Sequence, residues 1–446
     1  MQEETRKYGL ATAVAMIIGI VIGSGIFFKA DDILSMTDGN VAMGCLVLIL
    51  GAAGIIFGGI TMAEWAKVTD DAGGLISYGG KAFGEVFAFL IGWFQMTIYF
   101  PALLSVVSWA GANYTLMLFP NVEFLQGKIW ELTLGYIVLF YLLNTFSAKA
   151  AGHFQTGAMI IKLMPLLLVG ILGVLFGDVG GAVSQPVTAA GLMAGSSAVV
   201  AAGFSYDGWT VAPSICHEIR NARRNLPLAL TIAPVIIMAV YLVYFLGINA
   251  LLGPEQVMEY QDGAFLAAAA KLVGPNLAKL LLVGVVISVL GTVNGLILGC
   301  SRVPHALAVR GELPCSRKVS EIHGNFQVSL PSHAISFLFS VLWIGIHYML
   351  TEFPQFKGMN LDVSGIPIVL MYIFYLILYV GVIIRARKGL VSGVFYGYIS
   401  PVLASAGGLL IIYGGMSSEN GFLYLVISLI ALGSGLVMKK IMGTKK

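Results

Sequence analysis

The sequence predicts an all-α integral membrane protein with twelve transmembrane helices, and three observations lead to that fold class. Hydrophobic residues make up 58% of the 446 positions, charged residues make up 11%, and the mean hydropathy is +0.91. A soluble domain carries about 25% charged residues, so this chain lacks the polar surface to face water on all sides. The apolar runs are continuous over roughly 20 residues, as membrane helices are, and do not alternate like barrel strands. Two runs are interrupted at their middles, which is typical of transporters.

Twelve segments are long and apolar enough to cross a bilayer core of about 30 Å. Prolines fall near several of their ends, where a missing N–H costs least. An Ala-rich stretch at 263–272 is too short to span and is predicted to be an external helix. The predicted spans are 9–34, 41–67, 83–118, 130–148, 154–177, 189–216, 228–252, 277–307, 331–350, 361–385, 394–415 and 420–438.

The basic residues predict the orientation. An even number of spans places both termini on one side, where 19 of the 25 lysine and arginine residues then fall; five lie opposite and Lys162 lies inside a span. Cytoplasmic loops carry the excess of basic residues, so both termini are predicted to be cytoplasmic. The protein is expected in the cell (cytoplasmic) membrane, surrounded by the lipid bilayer. A net charge of +3 is small, and no nucleic acid partner is expected.

The positions of the two interruptions suggest an internal repeat. The first lies in span 1 and the second in span 6, so spans 1–5 (residues 9–177) and spans 6–10 (residues 189–385) form two predicted repeats. With five helices each, the repeats have opposite topology in the membrane. Spans 11 and 12 (residues 394–438) fall outside the repeat.

The first interruption is Gly23-Ser24-Gly25, about 15 residues or roughly 20 Å into span 1. Two glycines one residue apart favour an unwound turn. Amides that start the following half-helix suit a carboxylate, helped by the helix dipole. The carbonyls from Ile20 to Ile22 suit an ammonium group, so the pair matches the head group of an amino acid. The alternative is close helix packing by small residues.

The second interruption, Phe204-Ser205-Tyr206-Asp207-Gly208-Trp209, repeats this logic in span 6. Asp207 lies beside a helix-breaking glycine, deep in an apolar stretch. An acid inside a span costs about 2.5–3.5 kcal/mol on insertion scales, so Asp207 is expected to face a polar cavity or a donor. The alternative role for Asp207 is a cap on the second half of the broken helix. Phe204 is expected to lie over the substrate as a lid, with ordinary packing as its alternative.

Lys162 is the third signal. It lies about nine residues, roughly 13 Å, into span 5, and an ionisable residue at that depth indicates function by default. Its ammonium is predicted to donate to the unwound carbonyls of span 1 and to a span 8 hydroxyl such as Ser288. There it would stand in for a bound sodium ion. The alternatives are a purely structural ion pair and a group that titrates during transport.

Other chemistries find less support in the sequence. The six histidines are scattered, no P-loop or GxSxG motif is present, and neither a metal nor another cofactor is expected. A membrane-embedded enzyme, the rival from a different class, needs acids or histidines clustered at one depth, whereas the intramembrane ionisable residues are mostly Lys162 and Asp207. A channel is disfavoured because the spans contain no repeated pore loop.

Several segments resemble the amino acid–polyamine–organocation (APC) superfamily, and the chain looks most like bacterial relatives of the L-type amino acid transporters and serine/threonine exchangers. Their order and spacing agree from about residue 9 to residue 385, which makes the combination specific. The segments that carry the resemblance are Ile22-Gly23-Ser24-Gly25-Ile26-Phe27, Phe204-Ser205-Tyr206-Asp207-Gly208-Trp209, residues 217–227 and residues 294–314.

The resemblance implies a LeuT-like 5+5 inverted-repeat fold with discontinuous helices 1 and 6. Phe204 matches the aromatic gate of the family, Lys162 matches the span 5 lysine in the would-be sodium site, and Ser288 matches the span 8 position that faces it. The positions matched to the carboxylate site are Gly23, Ser24 and Gly25. The positions matched to the amine site are Val21, Phe204, Ser205, Tyr206 and Asp207.

The resemblance also implies sodium-independent transport of neutral L-amino acids, often by exchange, with alternating access to the two sides. The alternative is proton-coupled uptake with Lys162 as the titrating group. Animal L-type chains carry a cysteine between spans 3 and 4 that joins a glycoprotein partner. The corresponding loop, residues 119–130, has no cysteine here, so no disulfide-linked heavy subunit is expected.

Overall fold

The computed structural model of the protein describes residues 9–69, 73–187, 198–210, 213, 219–323, 328–357, 361, 363–417 and 420–443. Within these ranges the regular structure is helical, and the β-type pairing is an isolated bridge between His323 and Val328. An all-helical fold is what the apolar runs predict, because each helix satisfies its own backbone N–H and C=O groups in the bilayer.

The described helices follow one another with short connections. They are α1 (Leu10–Val21), α2 (Ser24–Met36), α3 (Val41–Ala66), α4 (Leu75–Phe83), α5 (Glu85–Phe94), α6 (Phe100–Leu118), α7 (Ile129–Phe146), α8 (Ala148–Phe176), α9 (Val179–Ala182), α10 (Ala198–Ser205), α11 (Ala222–Leu252), α12 (Pro254–Tyr260), α13 (Ala264–Val273), α14 (Pro275–Cys300), α15 (Arg302–Val309), α16 (Ser316–Val319), α17 (Leu330–Glu352), α18 (Pro354–Lys357), α19 (Gly365–Arg387), α20 (Ser400–Ser417) and α21 (Gly421–Gly443).

Eleven helical stretches in the described residues are long and apolar enough to cross a membrane, so the chain is a multi-pass membrane protein. Eleven of the twelve predicted spans correspond to these stretches. Half of the predicted sixth span, 189–216, lies outside the described residues, which include its helix α10 and the turn at 206–210.

Two predicted boundaries differ from the structure, and one span contains a turn that was not predicted. Gly84, with φ +87°, separates α4 from α5, so span 3 begins at Glu85 and not at residue 83. Span 3 also contains a π-helical turn, Gln95–Tyr99, between α5 and α6. Span 7 begins at Ala222, six residues before the prediction, because Pro227 lies inside α11 and does not end it. A proline near the start of a long helix removes one of many backbone hydrogen bonds.

Small residues bring the spans that hold the site into close contact. A Cβ on Gly247 of α11 would overlap the carbonyl oxygen of Gly170 on α8, and one on Gly173 would overlap the oxygen of Gly247. Glycines at helix interfaces allow backbones to approach in membranes. Both of these helices and α14 pack around α1, while α2 packs against α10. The two interruptions therefore lie together at the centre of the bundle.

We expect Gly247→Ala to destabilise the protein, because the added Cβ forces α8 and α11 apart. Overpacking of this kind costs about 1–3 kcal/mol, so thermal unfolding of the detergent-purified protein is expected at a lower temperature than in wild type. The matched control is Gly345→Ala on α17, where a Cβ meets nothing within 4 Å and helix propensity favours alanine. Equal unfolding temperatures for the two variants would contradict the close contact.

Candidate functional site

The first interruption is a break of two residues between α1 and α2. Its glycines permit close approaches as well as unwinding. A Cβ on Gly23 would overlap the Thr292 Oγ1 of α14, and a Cβ on Gly25 would lie 2.6 Å from the Cα of Ser205. Larger residues at these positions would push α14 and the second interruption away. The glycines of the triplet therefore allow close helix packing as well as the break in the helix.

Four carbonyls at the end of α1, those from Gly19 to Ile22, have no partner inside their own helix, as at any helix end. In a membrane each must find another donor. Side chains of three other helices, α8, α11 and α14, supply these donors.

Lys162 of α8 donates to the carbonyl oxygens of Gly19 and Ile22, and its side chain is completely buried. The predicted contact with the span 1 carbonyls is therefore present. The predicted contact with Ser288 is not made, because the Ser288 hydroxyl is buried with no hydrogen-bond partner among the described residues. Gly291, one turn further along α14, faces the lysine instead, and a Cβ added at this glycine would lie 3.7 Å from the Lys162 Nζ.

Gln155 and Thr292 provide two further donors to the end of α1. Gln155 Nε2 lies 3.4 Å from the Gly19 oxygen, which it shares with the lysine, and Thr292 Oγ1 lies 3.3 Å from the Ile20 oxygen. Gln155 is itself held by Asn294 Nδ2, 2.9 Å from its Oε1. A network of this kind fixes the orientation of each amide.

Tyr241 of α11 joins the two interruptions. Its buried hydroxyl oxygen lies 3.1 Å from the Val21 oxygen and 2.8 Å from the Ser205 oxygen. The second interruption itself is a turn at 206–210, where Gly208 has φ +98° and lies against Ile20. Since glycine alone adopts this φ without strain, Gly208 brings the turn onto the end of α1.

Asp207 has two differently placed carboxylate oxygens. Tyr99, the last residue of the π-helical turn in span 3, donates its hydroxyl to Oδ2 at 2.6 Å. The other oxygen, Oδ1, is buried without a hydrogen-bond partner among the described residues. The alternative role, a cap on the second half of span 6, concerns residues 211, 212 and 214–218, which lie outside the described residues.

A small cavity, with about 20 Å³ of space for the centre of a water-sized molecule, lies between the two interruptions. Four of the predicted site residues line it: Val21, Gly25, Phe204 and Asp207. Spans 3 and 8 supply further walls, and the remaining lining residues are Ile20, Leu103, Val107, Gly208, Thr292 and Leu296. The cavity lining is mostly apolar with one carboxylate, and that is the kind of lining that small-molecule sites have.

Two predicted residues of the second interruption point elsewhere. The Ser205 hydroxyl donates to the Ala201 oxygen at 2.9 Å, so only its backbone reaches the site. The Tyr206 ring packs on the Tyr241 ring, with centroids 5.0 Å apart, and does not line the cavity. Ser24 begins α2, whose first amides have no helical partner; its side chain lies outside the described part of the structure.

Sequence reasoning missed three of the donors around α1. Gln155 and Thr292 are polar residues inside apolar runs, and that signal alone marks them as candidates. The sequence does not distinguish Tyr241 in this way, because its neighbour Tyr244 lies in the same apolar run. Only the rotation of α11 decides which tyrosine reaches the interruptions.

The sequence of the chain is similar to known membrane carriers. A family described as "Amino acid permease" matches residues 8–438. The serine/threonine exchanger SteT of Bacillus subtilis (strain 168) is 30% identical over 416 residues, 91% of this chain and 90% of SteT.

Animal proteins are more distant. The Asc-type amino acid transporter 1 of Homo sapiens is 27% identical over 319 residues, 69% of this chain and 60% of that protein. The cystine/glutamate transporter of Homo sapiens is 27% identical over 345 residues, 73% of this chain and 65% of that protein. The match thus spans less than two thirds of either human relative.

Tyr241→Phe is expected to loosen both interruptions, because two buried carbonyls then lose a donor. Each unsatisfied group costs about 1–3 kcal/mol. Hydrogen–deuterium exchange is therefore expected to rise in peptides that cover residues 19–27 and 204–210, and to stay unchanged in α17. Tyr413→Phe, on an exposed ring of α20, is the control. Unchanged exchange at both interruptions in Tyr241→Phe would show that the hydroxyl does not join them.

Proposed function

We propose that this chain, which belongs to the amino acid permease family, exchanges amino acids across the membrane without sodium. The family match over residues 8–438 confirms the resemblance to the APC superfamily. The observation that carries the proposal is the Lys162 ammonium on the carbonyls of Gly19 and Ile22, beside a cavity formed by both interruptions. Exchange is also the activity in the name of the relative SteT.

The absence of sodium coupling follows from the charge of Lys162. Unwound carbonyls are good ligands for a hard cation, and two of them already bind the ammonium. A sodium ion on the same oxygens would place two positive charges within a few ångströms. At the low dielectric of a buried site, the repulsion between the two charges exceeds the attraction of the remaining carbonyl oxygens for the sodium ion.

In this proposal, the amino acid head group binds between the two interruptions. The free amides at the start of α2, from Gly23 to Gly25, bind the carboxylate with help from the helix dipole. The amine donates to the backbone near Val21 and to the segment from Phe204 to Asp207. Each carbonyl oxygen has two lone pairs, so the Val21 oxygen accepts the amine in addition to the Tyr241 hydroxyl.

The cavity favours neutral L-amino acids with a small polar side chain. Leu103, Val107 and Leu296 offer apolar contacts, and Asp207 Oδ1 offers an acceptor that has no partner among the described residues. A buried acceptor left unsatisfied costs about 1–3 kcal/mol, which a substrate hydroxyl would recover. The relative SteT is named for serine and threonine, and those are the substrates we propose first.

The transport cycle that we propose uses the predicted 5+5 architecture. Twelve spans, with repeats at 9–177 and 189–385 and two further spans at 394–438, lie in the cell membrane with both termini in the cytoplasm. The half-helices of spans 1 and 6 close around the substrate from either side. The chain works without a disulfide-linked heavy subunit, since residues 119–130 contain no cysteine.

Proton-coupled uptake is the second candidate function, and one observation favours it. The partners of Lys162 are carbonyl oxygens and Gly291, with no carboxylate among the described residues. A buried ammonium with no anionic partner is costly, and losing its proton removes that cost.

The relatives are named as an exchanger and as transporters, which supports a carrier over the membrane-embedded enzyme.

Exchange is tested with purified protein in liposomes. We expect radiolabelled serine to enter vesicles that contain unlabelled serine, at equal rates in sodium and in choline buffers. Empty vesicles are expected to take up little. A requirement for sodium would overturn the proposal, and accumulation in empty vesicles driven by a pH gradient would establish the proton-coupled alternative in its place.

Lys162→Ala is expected to lower serine exchange at least tenfold, because the Gly19 and Ile22 carbonyls lose their shared donor and the interruption is no longer held. The matched control is Lys279→Ala, on an exposed turn of α14, which is expected to keep wild-type rates. Both variants are compared after size-exclusion chromatography shows a folded protein. Wild-type exchange rates in Lys162→Ala would mean that the lysine has a purely structural role.

A further inference from the structure

A second group of charged residues lies near Phe204, outside the lining of the cavity. Lys29 of α2 is 4% exposed, and its Nζ lies 5.7 Å from the centre of the Phe204 ring. It donates to Asp32 Oδ2 at 2.9 Å. Phe204 also lines the cavity, so the proposed lid adjoins both the proposed substrate site and this ion pair.

Two more acids complete the group, which we call the carboxylate cluster (Lys29, Asp31, Asp32 and Asp262). Asp262 lies in the turn Gln261–Gly263 between α12 and α13, and its Oδ2 accepts from Asn113 Nδ2 at 2.7 Å. Asp31 and Asp262 interact electrostatically with each other, with Asp32 and with Lys29. Three acids and one lysine leave two negative charges uncompensated if every acid is ionised.

Two polar atoms in this place lack partners. The Tyr114 hydroxyl of α6 belongs to a side chain only 1% exposed, and it has no hydrogen-bond partner among the described residues. It interacts electrostatically with both Asp262 and Asp31. Asp31 Oδ1 is likewise buried and unsatisfied within the described part of the chain. Buried polar atoms without protein partners call for a further partner, such as a water, an ion or an added proton.

The described residues around the cluster offer no further positive charge to balance it. Tyr244 of α11 faces Asp31, but it is neutral. The neighbouring helix α12 adds Glu255 and Glu259, both exposed to solvent. Lys271 of α13 donates to the Leu251 carbonyl, and Lys279 of α14 is exposed. Among the described residues that pack around α2, the acids therefore outnumber the available cations.

We propose that Asp31, Asp262 and the Tyr114 hydroxyl form a proton-binding site that holds the lid side of the cavity closed. A proton from the adjacent aqueous phase adds to a carboxylate oxygen of Asp31 or Asp262 and forms one O–H bond. Tyr114 then donates to the carboxylate that stays ionised. The inference rests on the proposed function, because closing the lid matters only if substrate enters from this face.

The direction of the effect follows from linkage. Burial, together with the charge of Asp32, raises the pKa of Asp262 to about 6. When the cluster opens to water, the pKa returns towards about 3.9. The closed arrangement thus binds the proton more tightly than the open one. The additional stability of the closed arrangement is present in acid and is lost as the pH rises through about 6. From pH 8 to pH 5.5 this shifts the equilibrium about fourfold towards the closed arrangement.

The test uses the full chain in liposomes with the internal pH fixed. Serine exchange is measured with the external pH at 8 and at 5.5, in vesicles whose accessible face carries the 261–263 turn. The apparent KM for external serine is expected to rise about fourfold in acid for wild type. Asp262→Asn is expected to abolish most of that rise. Glu259→Gln, an exposed acid three residues away, is the matched control and is expected to retain it.

Asp31→Asn provides a second variant if Asp262→Asn does not fold, and it is expected to flatten the same response. A KM that rises in acid to the wild-type extent in both variants would overturn the proton site, as would a wild-type KM that does not change with external pH. Exchange that is absent at every pH would instead refute the proposed function. The two failures are therefore distinguishable by whether exchange occurs at pH 8.

Discussion

The end of α1 inside the membrane is the constraint on which the site depends. A helix that stops there leaves four carbonyls, from Gly19 to Ile22, that neither water nor the helix can satisfy. Lys162 and Gln155 on α8, Thr292 on α14 and Tyr241 on α11 meet that need. Three helices distant in sequence must therefore converge on one turn of α1, and one of them, α14, also supplies a wall of the cavity.

The close approaches explain why the interruptions act as one unit. Gly23 admits Thr292, Gly25 admits the backbone of Ser205, and Tyr241 donates to both broken helices. A rotation of span 1 therefore carries the turn at 206–210 with it or breaks the shared hydroxyl contact. Packed interfaces of this kind have a few discrete arrangements and do not deform continuously. That property suits a carrier that opens to one side of the membrane at a time.

The charges around the cavity are separated by role. Lys162 is bound to carbonyls of the first interruption, Asp207 lines the cavity with one oxygen held by Tyr99, and the carboxylate cluster lies near Phe204. In the proposed function, a substrate amine between these groups meets the Asp207 acceptor, while carbonyl oxygens engage two of the three donors of Lys162. The proposed site thus needs no inorganic cation beside the head group.

The sequence by itself determined the membrane class, eleven of the spans, the two interruptions and the contact of Lys162 with span 1. These features depend on local quantities: the length of an apolar run, a pair of glycines, one charge at depth. The tertiary structure decided that Ser288 does not contact the lysine, that Tyr206 packs on Tyr241, and that Tyr99 reaches Asp207. The donors to α1 lie 136 to 272 residues away along the chain. Which residue of a helix faces the α1 carbonyls depends on the rotation of that helix against its neighbours. When a helix is apolar on all sides, its sequence has no periodic pattern from which that rotation can be predicted.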